Sequence, residues 1–244
     1  MSFIVIIPAR YDSTRLPGKP LADIAGKPLI EHVVDRANES DAERVIVATD
    51  DERIKNALNE VDCEVCMTRY DHQSGSDRLT EVVENLLIED QSIVVNVQGD
   101  EPLIPPSLIN RVAMLLKNSE NASMATAAHP IVDISEINNP NVVKVVFNQQ
   151  SQAMYFSRSA IPFNRENDAI EAWKHIGIYA YRAEFLKRYH SLSLSKIEQA
   201  ENLEQLRVLD NGETILIEKV DYDAGVGVDT PEDLEKVRSL LRSD

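Results

Sequence analysis

The feature that most constrains the fold is a regular alternation of short apolar runs and amphipathic segments in the first half of the chain. The runs "FIVIIPA", "RVIVATD" and "SIVVNVQ" are continuously apolar, which is typical of strands buried on both faces. Between the first two, "PLIEHVVDRANES" places apolar side chains at helical spacing. Strand–helix alternation predicts an α/β fold with a mostly parallel central sheet and helices on both of its faces.

The remaining patterns extend this prediction along residues 1–244. Further strands are predicted for "CEVCM" and "ASMATAAH", and helices for "DERIKNALNEV", "GSDRLTEVVENLL" (with Ser76 as a possible cap) and "PPSLINRVAMLLKN". The second half is less regular: strands are predicted for "VVKVVF", "QAMYFSR", "KHIGIYAYR", "TILIEKV" and "GVGV", and helices for "KIEQAENLEQLRVLDNG" and "DTPEDLEKVRSLL". No long linker separates the halves, which favours a single domain with a smaller inserted subregion.

Composition excludes several classes of function. The formal net charge is −16 and the isoelectric point is near 4.7. The resulting field repels phosphates, so binding to nucleic acid or to an anionic membrane surface is not expected. The start of the chain lacks the features of a signal peptide, and no apolar run approaches the length that spans a bilayer, so we expect a soluble cytoplasmic protein.

The two cysteines, Cys63 and Cys66, form a C-x-x-C pair inside a predicted strand. Side chains three positions apart on a strand point to opposite faces. No second pair completes a zinc site, and a redox pair usually opens a helix instead. Buried structural cysteines are therefore favoured over redox or metal chemistry.

Ligands of parallel α/β sheets bind beyond the carboxyl ends of the strands, so the residues after each strand carry the functional signal. After the first strand, "PARYDSTRLPGKPL" brings together Arg10, Arg15 and Lys19. The loop is neither a dinucleotide fingerprint nor a Walker A loop. Three cations beside Gly18 suit a polyphosphate. The alternative is a solvated surface loop.

Two aspartates follow other predicted strands. Asp100 stands in "VNVQGDEPL" and Asp229 in "GVGVDTPEDL". Thr230 is a good helix cap with Asp233 three residues later, so those two have structural roles, while Asp229 has none. Two carboxylates with phosphate oxygens would suit Mg²⁺, although each residue alone is equally consistent with a turn aspartate.

Three further positions have weaker local signals. "HQSGSDRL" enters a helix whose free N–H groups would bind an anion or read a base edge, but a plain cap is equally consistent. His175 alternates with Gly177 and Tyr179, which predicts a shared strand face, and a lone strand histidine is more often a core residue. Arg158 ends a strand, and a partly buried arginine requires a carboxylate.

These motifs occur in a characteristic order: "IPARYDSTRLPGKPL", "ATDDERI", "HQSGSDRL", "VNVQGDEPLI", "YFSRSAIPF", "HIGIYAYR", "LEQLRVL" and "GVGVDTPEDLEKV". In this respect the chain resembles the 3-deoxy-manno-octulosonate (Kdo) cytidylyltransferase family over nearly its whole length. The resemblance implies a three-layer α/β fold with an inserted α+β dimerisation subregion. It also implies transfer of CMP from CTP to Kdo, an acidic eight-carbon sugar, with release of pyrophosphate, for lipopolysaccharide synthesis.

The resemblance also implies roles for individual residues, and a Mg²⁺ cofactor held by Asp100 and Asp229. Those two aspartates, Arg15 and Lys19 would carry catalysis. The nucleotide would be bound by Ala9, Arg10, Arg15, Lys19, Ser74, Gly75 and Arg78. The sugar would be bound by Gln98, Arg158, His175, Tyr179, Glu204 and Gln205, with Arg158 facing its carboxylate. Ser76 stands where threonine is common in the family.

The family resemblance further implies a homodimer and a division of the chain. Residues 1–130 would mainly bind CTP, 131–220 would bind the sugar and form the dimer, and 221–244 would return to the sheet. Rival interpretations are a cytidylyltransferase for an amino analogue of Kdo or a sialic acid, and a non-catalytic nucleotide-sugar binding protein. No protein general base is evident, and His175 is only a candidate.

Overall fold

A computed structural model describes residues 2–12, 15–72, 74–165, 171–222 and 224–242. Among these residues, nine strands form one sheet, and a separate two-residue pair lies near the N-terminus. The strands are β1 (Ile4–Pro8), β2 (Asp23–Ile24), β3 (Lys27–Pro28), β4 (Arg44–Thr49), β5 (Glu64–Met67), β6 (Ile93–Asn96), β7 (Met124–Pro130), β8 (Lys144–Phe147), β9 (Ala153–Ser157), β10 (Trp173–Arg182) and β11 (Ile215–Lys219).

The path through the sheet is β5-β4-β1-β6-β10-β7-β11. β1 lies between β4 and β6 and is parallel to both, with Ile6 opposite Ile46 and Asn96. β10 is antiparallel to its neighbours β6 and β7, and its register against β7 shifts between Ile176 and Tyr179. The sheet is therefore mostly parallel with one reversed strand inside it, and the parallel strands end at a common edge.

Alternate residues of β1 enter two different cores, which explains its continuously apolar sequence. Val5 and Ile7 belong to one buried cluster, while Ile4 and Ile6 belong to the other. The helices that supply the clusters are α1 (Leu29–Asn38), α2 (Glu52–Ala57), α3 (Gly75–Asn85), α4 (Pro106–Lys117), α5 (Ala183–Tyr189), α6 (Lys196–Glu201), α7 (Gln205–Asp210) and α8 (Pro231–Leu241). Side chains of α1, α2, α4 and α8 pack in the first cluster, and those of α3, α5 and α7 in the second.

This arrangement confirms the predicted three-layer α/β fold. The less regular second half contributes β8 and β9, an antiparallel hairpin that joins the sheet through β10. The functional division at residues 130 and 220 stays a prediction. No helix in the described part of the chain is long and apolar enough to cross a membrane.

Three local predictions are corrected. The cap of α3 is Ser74, whose extended backbone lets its hydroxyl accept a hydrogen bond from the Asp77 N–H at 3.1 Å, while Ser76 lies within the first turn. The single helix predicted from residue 196 is broken into α6 and α7, because Asn202 adopts a left-handed conformation with φ 53°. "GVGV" forms no strand; Gly225, with φ 105°, turns the chain against Leu103.

Burial supports the cysteine prediction for Cys66, while Cys63 is only half-buried and precedes the strand. Cys66 lies on β5, and both thiols are free. Burial raises the pKa of Cys63 to about 11, and burial also raises the pKa of Cys66. Both side chains therefore remain protonated thiols at neutral pH, which makes them weak nucleophiles and weak metal ligands.

Candidate active site

Two cavities adjoin at the carboxyl edge of the parallel strands. We call the first the cationic cleft; its volume is about 420 Å³, and its lining includes Ala9, Arg10, Arg15, Lys19, Ser74, Gly75, Arg78, Gln98, Asp100 and Asp229. We call the second the aromatic cavity; its volume is about 540 Å³, and its lining includes Gly75, Asn96, Gln98, His175, Tyr179, Tyr181, Tyr189, Glu204 and Gln205. Gly75 and Gln98 belong to both.

The loop after β1 turns Lys19 into the cleft. The Gly18 N–H donates to the Tyr11 carbonyl at 3.1 Å, and Gly18 has φ 72°, a conformation that side-chain-bearing residues rarely adopt. A short 3-10 turn then begins at Lys19. The side chain of Lys19 is only 14% exposed, whereas that of Arg15 is 64% exposed. One cation is thus fixed inside the cleft, and another stands at its rim.

Lys19 lies between the two predicted metal ligands. Its Nζ is 2.6 Å from Asp100 Oδ2 and 3.2 Å from Asp229 Oδ1. Arg15 Nη2 is 3.0 Å from the other oxygen of Asp229. The structure therefore brings together all four residues predicted to be catalytic, from three segments of the chain.

Tight backbone packing positions Asp100. A Cβ atom on Gly99 would lie 2.6 Å from the Pro8 carbonyl oxygen, so only glycine allows the loop after β6 to pack against the end of β1. The Val228 N–H donates to the Asp100 carbonyl at 2.8 Å, which brings the last segment to the same edge. Asp229 follows a loop, not the predicted strand, and its neighbour Thr230 caps α8 with Asp233 as predicted.

The start of α3 forms the opposite wall of the cleft. Ser74 caps this helix of 11 residues, and Arg78 projects from its first turns. The Arg78 side chain is only 4% exposed and lies 3.3 Å from Asp50; it also donates to the Thr68 hydroxyl. Asp50 was not predicted to contribute, although it stands directly after β4, where the strand-end rule would have indicated it.

In the aromatic cavity, His175 and Tyr179 face the same side of β10, as predicted, with ring centroids 5.4 Å apart. The Thr126 hydroxyl donates to the Ile178 carbonyl at 2.7 Å, so it accepts the Nε2–H of His175 at 2.9 Å. Burial lowers the pKa of His175 to about 3. The ring is therefore neutral at pH 7, and so low a pKa disfavours it as a general base.

Glu204 and Gln205 reach the cavity from the break between α6 and α7. Burial raises the pKa of Glu204, while a hydrogen bond from the Ser76 hydroxyl at 2.9 Å lowers the same pKa. The Tyr179 hydroxyl donates to Gln205 Oε1 at 3.4 Å. Ser76 thus links the first turn of α3, which lines the cationic cleft, to the far wall of the aromatic cavity.

The family model described as "Cytidylyltransferase" matches residues 4–215. A 3-deoxy-manno-octulosonate cytidylyltransferase from Yersinia enterocolitica is 55% identical and covers 99% of both chains. One from Idiomarina loihiensis is 53% identical and covers 98% of both. The chain belongs to the 3-deoxy-manno-octulosonate cytidylyltransferase family. The family prediction made from the motifs is confirmed.

A solved structure of a related protein has nearly the same fold as this chain. It is a CMP:2-keto-3-deoxy-manno-octonic acid synthetase complexed with CTP; its TM-score is 0.94 at 46% identity, over 99% of this chain and 98% of that one. A cytidylyltransferase from Leptospira borgpetersenii has a TM-score of 0.66 at 17% identity, covering 100% of this chain and 87% of that one. The second comparison shows the fold alone.

Arg158, one of the residues predicted to bind the sugar, lies apart from the others. Arg158 does not line either cavity; its guanidinium donates to the carbonyls of Glu201 at 2.8 Å and Pro140 at 3.0 Å. It contacts the segments next to Asn141 and Asn202, which do line the aromatic cavity. No carboxylate of the described residues forms an ion pair with it, so its predicted contact with the sugar carboxylate stays a prediction.

A buried lysine, Lys144, holds the segments next to Arg158 together. Lys144 is fully buried on β8, and its ammonium donates to the carbonyls of Asn139, Val142 and Arg158 at 2.6–2.9 Å. Burial lowers its pKa. Sequence analysis missed this residue because a lysine inside "VVKVVF" has the alternation of an ordinary solvent-facing strand position.

The carboxylates of the cleft have the chemistry of ligands for a hard cation. No cluster of three or more His, Cys, Asp or Glu side chains suited to a metal occurs in the described residues. Asp100 and Asp229 offer two hard oxygen ligands, and the Lys19 ammonium shows that a cation fits between them. Mg²⁺ is typically bound by one or two carboxylates together with substrate phosphates, so this pair fits the ion.

Proposed function

We propose that the protein transfers CMP from CTP to the anomeric hydroxyl of Kdo, forming CMP-Kdo and pyrophosphate. The observation that carries the proposal is the adjacency of the cationic cleft and the aromatic cavity, which share Gly75 and Gln98. The family relatives at 53–55% identity carry the name of this activity. Two substrates in adjoining cavities would meet at the shared wall.

The cationic cleft supplies what a nucleoside triphosphate requires. Arg10, Arg15, Lys19 and Arg78 bring four cations to the cleft, which three carboxylates also line, in a chain whose formal net charge is −16. In the first turn of α3 the Ser74 hydroxyl caps the Asp77 N–H, while the N–H groups of Gly75 and Ser76 are placed to bind phosphate oxygens. Ala9, Ser74 and Gly75 have small side chains, which allow close approach of the nucleotide.

Asp100 and Asp229 would hold Mg²⁺, which when bound polarises the α-phosphate and favours the deprotonated form of the attacking hydroxyl. Lys19 is placed to donate to phosphate oxygens as negative charge develops on them. The sugar oxygen forms a bond to the α-phosphorus, the bond from that phosphorus to the bridging oxygen breaks, and pyrophosphate leaves. The hydroxyl proton is released to solvent in this step.

The aromatic cavity holds and orients the sugar. His175 and Tyr179 form one wall, Gln98 lies beside the cleft, and Glu204 and Gln205 supply polar atoms from the opposite side. Neutral His175 is suited to hydrogen bonding rather than to proton abstraction. Catalysis therefore rests on orientation and charge neutralisation.

The experiment measures pyrophosphate release from CTP and Mg²⁺ with Kdo, its 8-amino analogue or a sialic acid as acceptor. We expect Kdo to give the highest kcat/KM, and omission of Mg²⁺ to stop the reaction. A higher kcat/KM for either of the other acids would reassign the acceptor. Binding of CTP without pyrophosphate release from any acceptor would favour the non-catalytic interpretation.

The finer proposals are a homodimer, a cytoplasmic location and a role in lipopolysaccharide synthesis. Exposed apolar side chains concentrate in the inserted subregion, at Val132, Ile134, Met154 and Phe163, which supports dimer formation there. Light scattering during gel filtration would measure the mass. A cytoplasmic location follows from the use of CTP, and CMP-Kdo is the activated form of a lipopolysaccharide sugar.

A further inference from the structure

Asn96 is a polar residue inside the apolar run "SIVVNVQ". It ends β6, is 2% exposed, and lies opposite Ile6 of β1 and Tyr179 of β10. Its neighbour Val95 packs in the core on the other side of the sheet. The side chain therefore lies on the same side as Tyr179, towards the aromatic cavity, which both residues line.

The carboxamide oxygen of Asn96 is buried, and no group among the described residues donates a hydrogen bond to it. An unpaired buried acceptor destabilises a fold, and most buried polar atoms are paired. Thr126, on β7, provides the contrast. It is fully buried, yet its hydroxyl has hydrogen-bond partners in His175, Ile176 and Ile178.

A second unpaired atom lines the same cavity. Gln205 is 4% exposed, and its Nε2 donor also has no partner in the described part of the chain. Together the two side chains offer an acceptor, Asn96 Oδ1, and a donor, Gln205 Nε2. A hydroxyl both donates and accepts hydrogen bonds, so a polyol satisfies both atoms.

We propose that Asn96 is a specificity-determining residue that accepts a hydrogen bond from a hydroxyl group of the acceptor sugar. The inference rests on the proposed function, because it assigns the sugar to the aromatic cavity. The unpaired buried acceptor destabilises the free protein, and the bound sugar relieves this by donating a hydrogen bond to it. The contact is present in the ground state as well as the transition state, so it acts on KM rather than on kcat.

The test is Asn96→Leu, which keeps the approximate size and removes the polar atoms. We expect the KM for Kdo to rise about 3- to 10-fold, the loss of one neutral hydrogen bond. The KM for CTP and kcat should stay within about twofold. The melting temperature should be unchanged or higher, because the substitution removes an unpaired buried polar group.

Thr126→Val is the matched control for stability, because it removes a buried polar group that does have partners. Its melting temperature should fall by about 2–4 °C. A fall of the same size in Asn96→Leu would mean that Asn96 has a structural role and would overturn the proposal. If Asn96→Leu does not fold, Asn96→Ala takes its place in the kinetic measurement, with the same expected rise in KM.

Analogues of Kdo that each lack one hydroxyl then identify the contact. For the wild-type protein, one of these analogues should bind about 3- to 10-fold more weakly than Kdo. For the Asn96→Leu variant, that analogue and Kdo should bind with equal affinity. An unchanged KM for Kdo in the variant, or an equal rise in the KM for CTP, would overturn the role of Asn96 alone. Failure of the wild-type protein to use Kdo would instead overturn the proposed function.

Discussion

The cationic cleft and the aromatic cavity share Gly75 and Gln98, but they differ in charge, exposure and backbone. The cleft is built from loops after the parallel strands β1 and β6, and its cations range from the buried Arg78 to the exposed Arg15. The cavity is built on the reversed strand β10 and on the break between α6 and α7, and its Tyr181 and Tyr189 side chains are buried. Arg15 at the cleft rim is 64% exposed, whereas His175 has its pKa lowered to about 3 by burial.

The difference shows how one edge of a sheet serves two kinds of ligand. In the free protein the cations of Arg15 and Lys19 pair with carboxylates of the cleft. Buried neutral groups select a polyol by the positions of its hydroxyls, because an unpaired buried polar group is costly. Substitutions in the cleft should therefore reduce kcat, and substitutions in the cavity should raise the KM for the sugar.

The largest expected effect is in the cleft, at the carboxylate pair. Asp100→Asn and Asp229→Asn should each lower kcat by about 100- to 1000-fold, because amides are poor ligands for a hard cation. The double variant should be little worse than either single one, since the two act as a unit. Pyrophosphate release at several Mg²⁺ concentrations would measure this.

Melting temperatures of the three variants should stay close to wild type, because these ion pairs are partly exposed and exposed pairs contribute little. Single effects that multiply in the double variant would contradict a shared site. Normal turnover by Asp229→Asn would contradict its role as a ligand.

The next effect concerns Lys19, which has two carboxylate partners. Lys19→Met keeps the apolar stem and removes the charge. We expect kcat to fall by about 100-fold, the low end for loss of one transition-state contact. Steady-state kinetics measure the change, and Lys27→Met, whose lysine pairs with Asp35 outside both cavities, serves as the control for charge removal. Equal losses in both variants would assign the effect to general electrostatics.

A smaller effect is expected on the cavity side at Arg158. Arg158→Ala should raise the KM for Kdo by about 10-fold and leave the dissociation constant of CTP unchanged, because its guanidinium holds the wall of the aromatic cavity. Calorimetric titration with each ligand checks this. Arg158→Lys should recover part of the affinity, since an ammonium still donates hydrogen bonds but lacks the planar fork of the guanidinium. Equal weakening for CTP and Kdo would place its influence on both cavities.

The smallest effect tests the link between the cavities. Ser76→Ala should raise the KM for Kdo about threefold by removing the hydrogen bond to Glu204, and Ser76→Thr should restore it. Burial raises the pKa of Glu204, so the folded state binds more protons than the unfolded state, and stability falls as pH rises through the folded pKa. Without the Ser76 hydroxyl that pKa rises further, and the fall should extend to higher pH.

Melting curves of wild type and Ser76→Ala between about pH 5 and 8 would record the displacement of this fall. Curves that stay parallel over that range would mean that the hydroxyl does not govern the protonation of Glu204.

The cleft was far more predictable from sequence than the cavity. Arg10, Arg15 and Lys19 lie in one loop after a buried strand, and local pattern identifies such a loop. The pairing of Glu204 with Ser76 joins residues 128 positions apart, so no local pattern contains it. The break at Asn202 was missed because the helical spacing of apolar residues continues across it, while a left-handed backbone is set by tertiary packing.

The position of Asp229 has a consequence for synthesis of the protein. Its carboxylate meets Lys19 across 210 positions of sequence, and the α8 cap that holds it lies still later in the chain. During translation the loop that carries Lys19 leaves the ribosome early, whereas its second carboxylate arrives with the closing segment. A nascent chain would therefore carry the strands that support the cleft before it carries the second carboxylate partner of Lys19.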